Sequence, residues 1–120
     1  MNDDGGPIFR QIATQLEDSI VDGSLPEESQ APSTNELASF HRINPATAAK
    51  GLNQLVTDGV LYKRRGVGMF VATGAREQLL KRRRSGFADQ YVVPLLAEAG
   101  KLGISVTELG AMLTEKGVRS

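Results

Sequence analysis

The sequence predicts a mostly α-helical fold with one small β-hairpin. Three observations carry that expectation. Apolar residues recur at helical spacing along most of the chain, and Ile8, Ile12, Leu16 and Ile20, each four apart, are the clearest case. The stretch 60–71 breaks the period. There Val60-Leu61-Tyr62-Lys63-Arg64-Arg65 and Met69-Phe70-Val71 read as two short strands, with Gly66-Val67-Gly68 as the turn between them. Start and stop signals divide the remainder into separate helices. Ser33 and Ser105 each stand three residues ahead of a glutamate, and Gly23 and Gly59 follow apolar runs.

Taken in order, residues 1–6 read as a flexible arm. Pro7 opens the first helix, whose apolar face is flanked by Phe9 and Ala13 and which stops at Gly23. Residues 24–32 read as a loop. Ser33 with Glu36 is a capping-box pattern, and a short helix with Leu37, Ala38 and Phe40 follows. The amides of Thr34 and Asn35 lie in its first turn, where a helix N-terminus can hold a phosphate. His41-Arg42-Ile43-Asn44 makes a tight connection in which Ile43 tucks between two helices. His41 has no carboxylate or hydroxyl neighbour that suggests a proton relay, so it reads as a turn residue.

The third helix starts with Asn44 as N-cap and Pro45 at its first position, where the missing N–H costs nothing. Steps of 100° put Ala48, Leu52, Leu55 and Val56 on one side. Ala46, Thr47, Lys50, Asn53, Gln54 and Thr57 face the other way. That outer face is short, polar and free of acid, so it can lie in a DNA major groove without repelling phosphate. Two helices joined by about four residues, the second with a wet face, form a helix-turn-helix pattern, and the hairpin follows directly. Lys63-Arg64-Arg65 leads into a turn without bulk, suited to approach a sugar-phosphate backbone. The same glycines do not make a nucleotide loop, because no Lys-Ser/Thr pair follows and no βαβ unit surrounds them.

Residues 75–101 read as one long helix, with Leu80, Phe87, Tyr91 and Leu95 in steps of seven and four, and with Leu79, Val92 and Leu96 widening the surface. Pro94 is expected to kink it unless the chain breaks there. Lys81-Arg82-Arg83-Arg84 point in nearly all directions and read as mostly solvated. Gly100 and Gly103 end this helix, and Ser105 with Glu108 caps a last one carrying Val106, Leu109, Met112 and Leu113. The pair cannot bury this apolar surface alone, and a second copy of the chain is the expected partner. The expected division is therefore a winged helix-turn-helix DNA-binding domain over residues 1–72 and a helical dimerisation tail over 73–120.

Composition sets the excluded classes. The chain has 120 residues, no cysteine and a single histidine, which leaves no disulfide framework, thiolate site or His-rich metal site. No catalytic constellation, metal or cofactor is expected. No apolar run approaches the roughly 18 residues of a membrane span, and no secretory signal is visible, so the cytosol is the expected compartment. Net charge is zero but unevenly spread. Residues 1–37 hold eight acids and one base (−7), residues 38–84 ten bases and two acids (+8), and residues 85–120 three bases and four acids (−1). Phosphate responds to the local field, so the basic middle segment outweighs the neutral total.

With those residues assembled, the chain resembles the GntR family of bacterial transcription regulators. The resemblance covers residues 7–72: Pro7-Ile8-Phe9 with Gln11-Ile12, Leu25-Pro26, Pro32-Ser33-Thr34, Glu36-Leu37-Ala38, Thr47, Leu52, Leu55, Gly59, Leu61 and Arg64-Arg65-Gly66-Val67-Gly68-Met69-Phe70-Val71. The Asn44-Pro45-Ala46-Thr47 turn and the short two-helix tail look like its YtrA-like subfamily. The resemblance implies a winged helix-turn-helix, a homodimer and repression at a near-palindromic operator. It also implies phosphate or base contacts by arginines that this chain lacks, since Asn35, Pro45 and Ala49 stand at those positions. The family prefers Gly where Arg42 stands, so a positive φ there would cost about 1 kcal/mol.

The expected partner is double-stranded DNA, bound by a homodimer. Ser33, Thr34, Asn35, Lys50 and Lys63 are the candidate phosphate contacts, and Asn44, Ala46 and Thr47 the candidate base readers. Arg64, Arg65, Gly66, Val67 and Gly68 form the candidate wing contact. Leu80, Phe87, Tyr91, Leu95, Leu109, Met112 and Leu113 are the candidate dimer face, which can also hold a small-molecule effector. The competing readings are a winged helix that binds protein without DNA, against which the basic run and the acid-free helix face speak, and an enzyme, for which no constellation exists.

Overall fold

The computed structural model describes residues 7–117, so the arm expected over residues 1–6 lies outside the described residues. The elements are α1 (Ile8–Val21), α2 (Thr34–His41), α3 (Pro45–Thr57), β1 (Leu61–Arg64), β2 (Gly68–Val71), α4 (Ala75–Phe87), α5 (Val93–Lys101) and α6 (Val106–Lys116). The mostly helical fold with one hairpin is the one expected. The chain divides into two compact units, parted between Lys81 and Arg82. The first unit runs beyond residue 72 because Ala75 and Leu79, in the first turns of α4, are buried in its core.

That core is built around α3. Ile12, Leu16 and Ile20 of α1, Leu37 and Ala38 of α2, and Ala48, Leu52 and Leu55 of α3 meet Val60, Leu61 and Val71 of the hairpin. Each helix contributes one stripe at 3.6-residue spacing. The first turn of α4 is tied down by two long side chains. Arg76 Nε donates to the Val21 carbonyl at 2.8 Å, at the end of α1, and Gln78 Nε2 donates to the Asp58 carbonyl at 2.9 Å. A guanidinium on the last carbonyls of a helix also meets the negative end of its dipole.

Both capping boxes are present, with Ser33 Oγ accepting from Glu36 N–H and Ser105 Oγ from Glu108 N–H. Arg42 takes φ 56°, ψ 49°, and its left-handed turn lets Ile43 N–H reach the Ala38 carbonyl at 3.0 Å while Arg42 N–H reaches Ser39. This closes α2 and seats Ile43 against the core, as expected from the turn sequence.

β1 and β2 pair antiparallel from Leu61↔Val71 to Arg64↔Gly68. Gly66, with φ 75°, is the third residue of a turn closed by Val67 N–H on the Arg64 carbonyl, the place where a type II turn needs glycine. The 24–32 connection is more ordered than a loop. Glu28 N–H donates to Val71, Val71 N–H to Ser29 and Ala31 N–H to Met69, so residues 28–31 run as a strip along β2, with Gln30 bridged to Phe70. Two prolines and no apolar alternation hide that strip in the sequence.

In the second unit, residues 88–92 form a π turn between α4 and α5. Pro94 has no N–H for the carbonyl four residues back, and a wider turn just ahead of it accommodates the missing bond. Helical angles continue through Phe87, Val92 and Val93, so the chain does not break at Pro94. Gly103, with φ 71°, ends α5, whereas Gly100 lies inside it, contrary to the expected shared role. Among the described residues of this unit, only Ala99 and Leu109 are buried.

Candidate nucleic-acid interface

The exposed face of α3 is set by its cap and by its close crossing with α1. Asn44 Oδ1 accepts from Ala46 N–H at 2.8 Å and Pro45 fills the first turn. Ala48, Gly51, Leu52 and Leu55 turn inward. Gly51 was not singled out by its sequence context, yet it sets the crossing. A Cβ there would lie 2.9 Å from the Phe9 carbonyl oxygen and 3.3 Å from Ile12 Cβ. Outward stand Asn44, Ala46, Lys50, Asn53, Gln54 and Thr57, all exposed, with Thr47 half-buried. α3 itself carries no acid, and Asp58 just past its end accepts from Gln54 Nε2 at 3.1 Å.

The candidate contacts gather in two hollows. Ala46, Thr47 and Lys50 share one of about 410 Å³ with Ile8 and Phe9. The Lys50 ammonium sits 4.3 Å from the Phe9 ring centroid, so the one cation of this face rests on an aromatic ring. Ser33, Thr34 and Asn35 at the start of α2 line the second, of about 310 Å³, together with Val67 and Gly68 from the wing. The Ser33 amide is satisfied by Glu36 Oε1, and its hydroxyl oxygen serves the cap. Its hydroxyl proton is still able to reach an acceptor.

On the wing, Lys63, Arg64, Arg65, Gly66, Val67 and Gly68 are exposed. Arg64 folds back over the Phe70 ring at 4.7 Å. The wing is fastened at its base by Glu28, whose carboxylate accepts from the Tyr62 and Thr73 hydroxyls. Those hydroxyls hold the Glu28 carboxyl below its ordinary range, the Thr73 bond being the larger cause and Arg64 adding a smaller attraction. The Glu28–Tyr62 bond pushes the Tyr62 phenol up. Sequence reasoning missed both Glu28 and Gln30. The signal they carry is tertiary, because each bonds a residue more than thirty positions away.

Of the tail candidates, Phe87, Tyr91, Leu95, Met112 and Leu113 are exposed, Leu80 is half-buried and Leu109 is buried. Phe87 and Tyr91 lie with ring centroids 5.4 Å apart. Among the described residues, no group of histidines and carboxylates is placed to hold a metal. No helix of the described residues is long and apolar enough to cross a membrane.

The profile of the "Bacterial regulatory proteins, gntR family" matches residues 9–71. The chain belongs to the gntR family. Its helix-turn-helix and wing are those of a DNA-binding transcription regulator, and its relatives are regulators rather than enzymes. Over 75 residues it is 37% identical to the HTH-type transcriptional repressor NagR of Bacillus subtilis, covering 62% of this chain and 31% of NagR. The likeness to the repressor YtrA of the same organism is lower, 26% over 109 residues, but covers 91% of this chain and 83% of YtrA. A putative gntR-family regulator from Bacteroides thetaiotaomicron has a similar structure, with a TM-score of 0.71 at 33% identity over 90% of this chain and 94% of that one. The DNA-binding domain of AraR, solved in complex with operator ORR3, aligns at TM-score 0.51 and 30% identity over 53% of this chain and 77% of that one.

Proposed function

We propose that this gntR-family chain acts in the cytosol as a homodimeric repressor at an inverted-repeat operator. The polar outer face of α3, which has one cation and no acid within the helix, flanked by the basic wing, carries this reading. In it α3 of each subunit enters a major groove, where Asn44, Ala46 and Thr47 meet base edges. Ser33, Thr34, Asn35, Lys50 and Lys63 hold phosphates, and Arg64 and Arg65 bring the turn Gly66-Val67-Gly68 against the neighbouring backbone or minor groove. Lys50 has only to leave the Phe9 ring to reach a phosphate. Repression as the direction of control is supported by the likeness to the repressors NagR and YtrA.

Residues 73–120 supply the dimer face in this reading. Phe87, Tyr91 and Leu113, each more than half exposed in the single chain, are the residues a second copy would cover. The same apolar contact can take a small effector near Phe87, Tyr91 and Leu95. Calorimetry with apolar candidate ligands tests that part, and the absence of heat from all of them leaves the tail purely structural.

Selection of bound sequences from random DNA, followed by footprinting, tests the whole. An inverted repeat with half-sites about one helical turn apart is expected, and a footprint without symmetry rules out the dimeric reader. Lys50→Ala should weaken binding and lower the salt slope by about one. Retention of a protein partner at high salt, with no DNA bound, would favour a protein-interaction module instead.

A further inference from the structure

We propose that the strip 28–31 sets the pose of the wing, with Glu28 and Gln30 as positioning residues for DNA binding. The inference rests on the DNA-binding reading above and names residues that touch neither base nor phosphate in it.

Glu28 is the starting point. It holds φ 66°, and among described residues other than glycine only Arg42 shares a positive value. At Arg42 the left-handed turn closes a helix. At Glu28 it is the third residue of a turn closed by Ser29 N–H on the Pro26 carbonyl at 3.1 Å. A conformation that L residues rarely adopt persists where surrounding contacts fix it. Beyond that turn, the contacts of Glu28 go to the wing. The Glu28 amide donates to the Val71 carbonyl at 2.8 Å. One carboxylate oxygen accepts from Tyr62 on β1, and the other from Thr73 just after β2. The base of the wing is thus gripped on both strands by one side chain.

Gln30 grips the other end. Its Nε2 donates to the Val67 carbonyl in the turn at 3.0 Å. The amide lies so close to the next residue that a Cβ on Gly68 would stand 2.5 Å from it. Pro32 and Ser33 follow at once and start α2. One four-residue strip therefore holds the wing at base and tip and runs directly into the helix-turn-helix. The shared core seats the base of the wing on α3, and these two side chains fix the wing against the start of α2 from base to tip.

The test uses Glu28→Gly and Gln30→Ala in the full chain, with Thr73→Val as a third variant that removes one hydroxyl from the opposite side. Glycine accepts the φ at position 28, so that variant keeps the fold while losing the grip. Amide exchange across residues 61–71 should quicken in each variant while α1 and α3 stay protected. Affinity for DNA selected by the wild-type chain should fall about tenfold for Glu28→Gly. Its salt slope should fall as well, because a displaced wing loses the phosphate contacts of Lys63 and its neighbours, and adding Lys63→Ala to Glu28→Gly should lower the slope little further. A merely structural role would move stability and leave the wing's footprint in place. Wild-type exchange in the wing, or wild-type affinity with a complete footprint, overturns the proposal. If the wild-type chain retains no DNA at all, the functional reading fails by itself, and wing exchange alone then supports or refutes the grip.

Discussion

Gly51→Ala separates two opposing effects with opposite signs. In an unconstrained helix interior, replacing glycine with alanine adds roughly 1 kcal/mol of stability. At this site the new methyl would stand 2.9 Å from the Phe9 carbonyl oxygen and 3.3 Å from Ile12 Cβ and Cγ2. The first of these is backbone of α1 and cannot swing aside, so α1 and α3 must part by several tenths of an ångström. Ile12, Leu16 and Leu52, all buried, lie in the packed core around this crossing. Overpacking of this kind costs about 1–3 kcal/mol. The net expectation is a loss of about 1 kcal/mol, which for a unit of this size lowers Tm by about 4–8 °C. Urea and thermal unfolding of the purified variant measure it. A rise in Tm would show that the crossing is looser than described and refute the reasoning. The variant should also weaken DNA binding, since it displaces the helix that carries Asn44, Thr47 and Lys50.

Three further outcomes follow from other sites. Arg42→Gly relieves the left-handed turn at φ 56° and should stabilise the chain by about 0.5–1 kcal/mol, read as a higher urea midpoint; a lower midpoint would contradict it. Ser33→Ala removes the cap of α2 and should cost about 1 kcal/mol by the same assay, with no change expected in the protection of α6. The Glu28–Tyr62 bond should show in titration. The depressed Glu28 carboxyl contributes stability above the ordinary carboxylate value, lost as pH falls through its lowered one. The raised Tyr62 phenol contributes below the ordinary phenol value, lost as pH rises through its raised one. In a Tyr91→Phe background Tyr62 is the sole tyrosine, and its ultraviolet ionisation should move to lower pH when Glu28→Gly is added. An unmoved midpoint would mean the bond does not form in solution.

Much of the fold was legible because its signals are local. A cap such as Asn44-Pro45, a glutamate three residues after Ser33, and the apolar stripe Ala48-Leu52-Leu55 each act within one or two turns of chain. The turn at Arg42 could be suspected only through the resemblance to a family that prefers glycine there, and its left-handed φ of 56° came from the structure. The unread features depend on distant partners. Nothing near Gly51 announces that Phe9 crosses there, and nothing near Glu28 announces Tyr62 and Thr73. Pro94 announced a disturbance but not its form, since a kink, a break and a π turn all answer one missing amide. For the interface, the composition of the α3 face was readable, while the resting place of its cation on Phe9 was not.

The strip along β2 also limits how the chain can vary in length. Connections between helices ordinarily tolerate inserted residues. Here the tolerance should differ within nine residues. An insertion between Gly23 and Pro26 precedes the strip and leaves its pairing intact. One residue added between Glu28 and Gln30 would move Gln30 and Ala31 out of register with Phe70 and Met69. Gln30 would then leave Val67, and α2 would begin out of step with the wing. The connection works as a fixed ruler between the wing and the start of α2, and its length is as constrained as any helix in the domain.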